Sequence, residues 1–310
     1  MGTERFQSYM LNEKITDIVR ANKAIRNATW PARIAVGRYL KWRAKSSSAA
    51  IERLASMLVE DPVLRVAEFD GVFALAPRSH IFRRLVTSGY YEPELTARCR
   101  ALLDRNRDAV DIGANIGFHS VLFSKHLDRG RVLAVEPTRN ALVRLKRNLA
   151  MNEAGGKVTI FEGVASDRPG QIEIKTISGL EEYSTIGAMG HPSVGNAEVT
   201  TQTVEARPLD ELVFEHKLDV GFIKVDVEGA EHLVFKGAQK TLSTCRPVVL
   251  SELSDTLLRK NGSSAKAVVE MFEELDYVVT DPHRPGIKPG SVEFGDILCV
   301  PREHPSAKQG

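Results

Sequence analysis

The stretch that most constrains this chain is Asp111-Ile112-Gly113-Ala114-Asn115-Ile116-Gly117. It closes a short apolar run, 109–112, and opens into Phe118-His119-Ser120-Val121-Leu122-Phe123, whose apolar spacing is helical. Strand, glycine turn and helix together form the opening unit of an α/β sheet. Gly113 and Gly117 let the backbone bend and approach a ligand where a Cβ would clash. The helix that follows directs unpaired N–H groups toward whatever lies over the turn. A second strand, 131–136, ends in Glu136, about 20 residues beyond the glycines, where sheets of this kind bind a ribose diol. Phe161-Glu162-Gly163-Val164-Ala165-Ser166-Asp167 supplies a third turn on the same edge.

The competing reading of such a turn is a dinucleotide site, whose fingerprint is G-x-G-x-x-G with a central glycine that admits a pyrophosphate. Here the central position is Asn115. Its side chain crowds a diphosphate but tolerates a nucleoside without phosphates. Asp111 then faces a cation or an ammonium rather than an anion. S-adenosylmethionine meets these terms, with its adenosine, its sulfonium and its amino-acid tail.

Alternating strand and helix patterns follow and predict a largely parallel sheet with helices on both faces. Right-handed crossovers place the strand C-termini and their loops on one edge. Val220–Val225 reads as a central strand covered on both faces, with a helix over 231–242 behind it and another central strand at 247–253. Helix 265–275, strand 277–280 and strand 296–300 complete the sheet, the last reached by a hairpin-like return and so antiparallel. Upstream, 63–77 reads as a hairpin about a two-residue Asp70-Gly71 turn. Ser79 caps a helix through Val86, and Pro93 precedes a helix over 95–105. Residues 178–196 form a long Gly-rich loop, read as a substrate lid. The division expected is a helical cap at 1–62, a lead-in at 63–106, the main domain at 107–302 and a flexible tail at 303–310. The cap is locally basic. It packs on the main domain, contacts an anionic membrane or acidic partner, or mediates a homodimer.

The residues at this point resemble the FkbM-type S-adenosylmethionine-dependent methyltransferases. The resemblance is carried by Asp111 through Gly117, Val135-Glu136-Pro137, the segment from Asn148 to Asn152 and Gly163 through Asp167. Its most specific part is Ile223-Lys224-Val225-Asp226-Val227-Glu228-Gly229-Ala230-Glu231, with Phe235-Lys236-Gly237-Ala238. It covers approximately 89–301. It implies a Rossmann-like, mostly parallel seven-stranded sheet with one antiparallel strand, and O-methylation of a hydroxyl on a sugar, glycan, polyketide or other small molecule. A similar Tyr-Glu-Pro-Glu segment precedes the first core strand in that family, so Tyr91 or Glu92 could cover the cofactor; a capped helix start explains the segment equally.

The cofactor site expected at the switch point of the sheet comprises Asp111, Gly113, Asn115, Gly117, Glu136, Val164, Ala165 and Ser166. Glu136 has two oxygens for two ribose hydroxyls. Asp111 or its backbone holds the amino group of the methionine tail. Val164 to Asp167 flank adenine, with backbone N–H donors. For chemistry the informative segment is Asp226-Val227-Glu228-Gly229-Ala230-Glu231-His232. Carboxylates this close raise one another's pKa and cost stability, which a purely structural role rarely requires. Methyl transfer to a hydroxyl needs an acceptor in line with the sulfonium and a base for the departing proton. Asp226 and Glu228 are the first candidates and His119 the next, with His232 behind. Glu231 suits a first helical turn.

Asp226 and Glu252 end adjacent strands, an oxygen-rich pair that would suit Mg²⁺, though the expected site includes no metal ligands. A net charge of +2 gives no global field for nucleic acid. No apolar run approaches the ~18 residues of a membrane span, and three widely separated cysteines read as reduced, which points to the cytoplasm. Aromatic residues at 6% argue for a polyol acceptor over a flat aromatic one. A catalytically silent cofactor-binding protein is the alternative from another class.

Overall fold

The computed structural model describes residues 50, 53, 55, 57, 60–177, 185, 186 and 199–309, apart from 285 and 292. Most of the expected N-terminal cap and nearly all of the expected lid therefore lie outside the described residues. Strand β1 (Val63–Val66) pairs antiparallel with β2 (Gly71–Ala74). The turn between them is not the two-residue type expected. A 3-10 helix, Ala67–Phe69, intervenes, and Asp70 closes it in the left-handed region at φ 51°. Gly71 already belongs to β2, and a Cβ there would lie 2.7 Å from the Phe73 ring and 2.9 Å from Asn152 Oδ1.

Helix α1 (His80–Ser88) begins at Ser79, whose side chain accepts from Phe82 N, and stops at left-handed Gly89. Helix α2 (Pro93–Leu102) follows. The core then alternates through β3 (Asp108–Ile112), α3 (Phe118–His126), β4 (Val132–Val135), α4 (Arg139–Met151) and β5 (Val158–Phe161). Strands β6 (Gly163–Ala165), β7 (Gly170–Ile177), β8 (Thr185–Ile186) and β9 (Val199–Arg207) leave the main sheet. The chain returns through α5 (Leu209–Glu215), β10 (Val220–Val225), α6 (Glu231–Lys236), α7 (Gln239–Thr244), β11 (Val248–Ser254), α8 (Asp255–Lys260), α9 (Ala265–Glu274), β12 (Tyr277–Thr280) and β13 (Phe294–Pro301).

The main sheet has seven strands in the order β12-β13-β11-β10-β3-β4-β5. Only β13 is reversed, antiparallel to both β11 and β12. The expected Rossmann-like architecture is present. The chain crosses from β3 toward β4 on one side and returns at β10 on the other, so the β3–β10 boundary is the switch point where such sheets bind ligands. Apolar side chains fill both faces. Phe118, Leu122, Leu145 and Phe222 lie on one, and Val110, Ile223, Phe235 and Phe272 on the other.

Three features depart from the sequence reading. A second sheet, β6-β9-β7-β8, has its own small core of Val164, Ile174, Val204 and Ala206. The helix expected over 231–242 is broken in two. Gly237 sits so close to the chain after β6 that a Cβ would fall 1.9 Å from Ser166 O. Asp210 then caps the second piece, accepting from Lys240 N at 2.9 Å and from Thr241 N at 2.7 Å. The tail is not loose throughout: Pro305–Gln309 forms a 3-10 helix, and Ala307 packs on the core.

Asn148 in the last turn of α4 and Asn152 at its C-cap fasten the hairpin to the core. Asn148 accepts from Ala74 N at 2.7 Å and donates to Ile116 O at 2.8 Å, while Asn152 accepts from Val72 N at 3.0 Å. These two side chains pair the open edge of β2 as a neighbouring strand would.

Candidate active site

The glycine turn after β3 is built from left-handed positions. Gly113, Asn115 and Gly117 have φ of 77°, 49° and 90°. At Gly113 the reason is contact as well as conformation, since a Cβ would lie 1.8 Å from Asp226 O. Gly113 N and Ala114 N both donate to Val135 O at 3.0 Å, and Asp226 N donates to Ile112 O at 3.0 Å. The turn is thereby locked to the ends of β4 and β10. The glycine edge and the acid-rich edge are in backbone contact.

Glu136, 5% exposed, stands at the end of β4. Its Oε2 accepts from Asn115 N at 2.8 Å, and its Oε1 accepts from Thr138 N at 2.9 Å and Thr138 Oγ1 at 2.6 Å. Burial raises its pKa against these three bonds. A carboxylate offers about four lone-pair sites. Three are used by the chain, which leaves about one for a ligand hydroxyl rather than the two expected.

Asp111 is fully buried. Its Oδ2 accepts from Ser120 Oγ at 2.6 Å, and its Oδ1 has no hydrogen bond. Burial pushes its pKa up. The nearest cation is Lys224 Nζ, 4.0 Å away. The Asp111 carboxyl thus faces the interior of the sheet. Val164 and Ala165 on β6, and Ser166 just after it, are buried beside this edge. Ser166 N donates to Arg207 O at 3.0 Å, so that N–H is already taken and is not a free donor for adenine.

Across the turn, Asp226 ends β10 with its side chain 39% exposed. Glu228 and Gly229 continue in the left-handed region, with φ of 53° and 97°. Glu231 secures this loop: its Oε1 accepts from Gly229 N at 2.9 Å, and burial raises its pKa to about 7. Glu252, on β11, is raised well above the usual carboxylate range by burial, then by Asp226 and Asp296. It stands opposite Asp296 of β13. Asp296 Oδ2 in turn meets His283 Nε2 at 2.6 Å, a contact that raises the imidazole pKa.

Sequence reading passed over Lys224. It interrupts an otherwise apolar central strand, and a charge inside such a strand is the informative exception to burial rules. Its Nζ lies 3.4 Å from Asp226 Oδ2 and 3.5 Å from Gly113 O. Asp226, then Asp111 and Glu92, raise its pKa against the opposing effect of burial. The Asp226 carboxylate considered for Mg²⁺ thus has an ammonium neighbour. Among the described residues no group of three or more His, Cys, Asp or Glu side chains is arranged to hold a metal ion.

His119 is not at the crevice surface. It is 6% exposed, edge-on to Phe69 with ring centroids 5.1 Å apart. Burial, helped by Lys224, holds its pKa well below the usual imidazole range. That neutral, packed imidazole stands behind the half-exposed carboxylates as a base candidate. His232 is also buried and lowered.

The donor set suits a cationic nucleoside. The Gly113 cradle leaves no room for a Cβ, Asp111 Oδ1 is buried without a hydrogen bond, and Asp111 and Asp226 flank the Lys224 ammonium. Among the described residues no helix is long and apolar enough to cross a membrane.

Comparison with known proteins gives the following similarities. The chain is 26% identical over 199 residues to 2-O-methyltransferase NoeI of Sinorhizobium fredii, covering 61% of this chain and 77% of that protein. It is 27% identical over 176 residues to methyltransferase sdnD of Sordaria araneosa, covering 48% and 68%. Among solved structures, methyltransferase FkbM from Methylobacillus flagellatus KT matches with a TM-score of 0.41 at 19% identity, over 64% of this chain and 45% of that one. The methyltransferase FkbM domain model matches residues 111–279, more than half of the sequence, and the chain belongs to that family.

Proposed function

We propose that this protein is an S-adenosylmethionine-dependent O-methyltransferase acting on a hydroxyl of a sugar, glycan or other polyol. The observation that carries this reading is the contact between Gly113 and Asp226. It supports reading the glycine turn as the nucleoside side and the adjoining acids as the acceptor side of one site. The printed name of the relative NoeI, a 2-O-methyltransferase, supports oxygen as the atom methylated.

When bound, the cofactor would supply an electrophilic methyl group on a cationic sulfur. The remaining work belongs to the chain. Glu136, oriented by Asn115 and Thr138, accepts a ribose hydroxyl. Val164, Ala165 and Ser166 wall the adenine side. Asp226 holds the acceptor hydroxyl in line and takes its proton, and Glu228 extends that acidic face toward a polyol. Lys224 keeps the Asp226 carboxylate fixed from below. Residues 107–302 form the catalytic domain. Labelled S-adenosylmethionine offered with a panel of sugars and oligosaccharides tests the reading. Alkali-stable label on a sugar oxygen, lost in Asp226→Asn, is the expected result. Label found only on nitrogen or carbon acceptors would overturn it.

A further inference from the structure

Strand β9 alternates cleanly apart from one residue. Val204 and Ala206 are buried in the small core of the second sheet, while Thr201, Thr203 and Glu205 are exposed. By the period of two, Gln202 belongs to the inward face. It lies directly opposite Ile174 of β7, which is 2% exposed. An amide on that face needs hydrogen-bond partners. It finds them outside the second sheet. Gln202 Nε2 donates to Pro137 O at 3.0 Å, and Gln202 Oε1 accepts from Arg139 N at 3.4 Å. Both ends of the amide therefore hold the turn that leads from β4 into α4.

That turn carries the partner of Glu136. Thr138 lies between the two backbone groups that Gln202 binds, at the N-cap of α4, yet its side chain does not cap the helix. Its N–H and Oγ1 go instead to Glu136 Oε1, at 2.9 and 2.6 Å. The first N–H groups of a helix have no partner within it. With Thr138 turned toward Glu136, Arg139 N takes its acceptor from β9. Thr138 and Glu136 are 2% and 5% exposed. The other carboxylate oxygen, Oε2, is held separately by Asn115 N at 2.8 Å. We propose that Gln202 is a positioning residue for the cofactor: fixing 137–139 from the second sheet, it keeps Thr138 on Glu136 and Glu136 aimed at a ribose hydroxyl. The assignment rests on the S-adenosylmethionine reading above. Gln202 acts through Glu136 rather than on the ligand, so its effect on affinity depends on Glu136 being present.

A double-mutant cycle read by titration calorimetry tests this, with the full chain and S-adenosylhomocysteine as the probe. Gln202→Ala should weaken binding roughly three- to tenfold, the weight of a lost hydrogen bond or two. In a Glu136→Ala background the same change should weaken it less than about twofold, because the group that Gln202 serves is gone. Gln202→Glu runs the same cycle with less disturbance of the fold. It keeps an acceptor for Arg139 N, where the start of a helix favours a carboxylate, but has no donor for Pro137 O. It should melt as wild type does and weaken binding in the same Glu136-dependent way. Equal losses with and without Glu136 would make Gln202 a general brace and overturn the assignment, as would undiminished affinity in both Gln202 variants. A wild type that binds no S-adenosylhomocysteine would overturn the cofactor reading, and this assignment with it.

Discussion

The two sides of the crevice are built differently. On the β3–β4 side, the turn at Gly113 is closed by backbone hydrogen bonds to Val135 O, and Glu136 is oriented by three bonds from the chain. On the β10–β11 side, Asp226, Glu228 and Glu252 are only partly buried, and Lys224 lies 3.4 Å from the Asp226 carboxylate. The first side is a fixed shape. The second is an electrostatic balance that a ligand or a proton can tilt. On the proposed function, a fixed side would hold the cofactor and an adjustable side would orient and deprotonate the acceptor.

The largest expected effect is on the tilted side. Asp226→Asn should lower turnover by about 10²–10⁴-fold, the usual weight of a general base, while the melting temperature and cofactor affinity change little. Steady-state kinetics beside a thermal melt decide this, and near-normal turnover would remove Asp226 from the chemistry. On the fixed side, Gly113→Ala forces a Cβ toward Asp226 O at 1.8 Å and strains a φ of 77°. A loss of roughly 3 kcal/mol of stability, together with loss of cofactor binding, is expected. A variant with native melting behaviour would show that the two edges do not press together. Glu136→Ala should weaken S-adenosylhomocysteine binding by about 1–3 kcal/mol by calorimetry, as for a lost charge-assisted bond. Unchanged affinity would refute the ribose assignment.

The smallest effect sharpens the contrast through pH. The Glu231 carboxyl moves from 4.5 to about 7 on folding. The native state therefore holds the extra proton between those values, and stability falls as pH rises through that window. Glu231→Gln keeps an acceptor for Gly229 N but removes the titration. Its melting temperature should fall less than that of wild type between about pH 5 and 7, by a few degrees on the usual scale. Parallel pH curves for the two proteins would place the titration elsewhere.

Much of this was legible in the sequence. The strand-turn-helix at Asp111–Gly117, the single reversed strand and the β3–β10 switch point follow from apolar periodicity and glycine placement. The acid-rich turn at 226–231 stood out because close carboxylates need a reason. What escaped depends on contacts between distant segments. No local pattern shows that Gly237 must pack on Ser166, so the helix over 231–242 looked continuous. The Asp70-Gly71 pair suggested a two-residue turn, but Gly71 serves contact with Asn152 instead. Lys224 read as one polar residue in a strand, and its importance comes from Asp111 and Asp226 converging on it. His119 opened the right helix, yet a helix position does not reveal that Phe69, from the hairpin, covers its ring.

The claim at the centre is that one crevice, between the Gly113 turn and the Asp226 loop, binds the methyl donor and presents it to a hydroxyl. A crystal structure with S-adenosylhomocysteine tests this most directly. The account predicts the ribose against Glu136 and the sulfur over the edge where Gly113 and Asp226 meet, facing the half-exposed acids. Ligand density elsewhere on the molecule, or a sulfur turned away from Asp226, would contradict it.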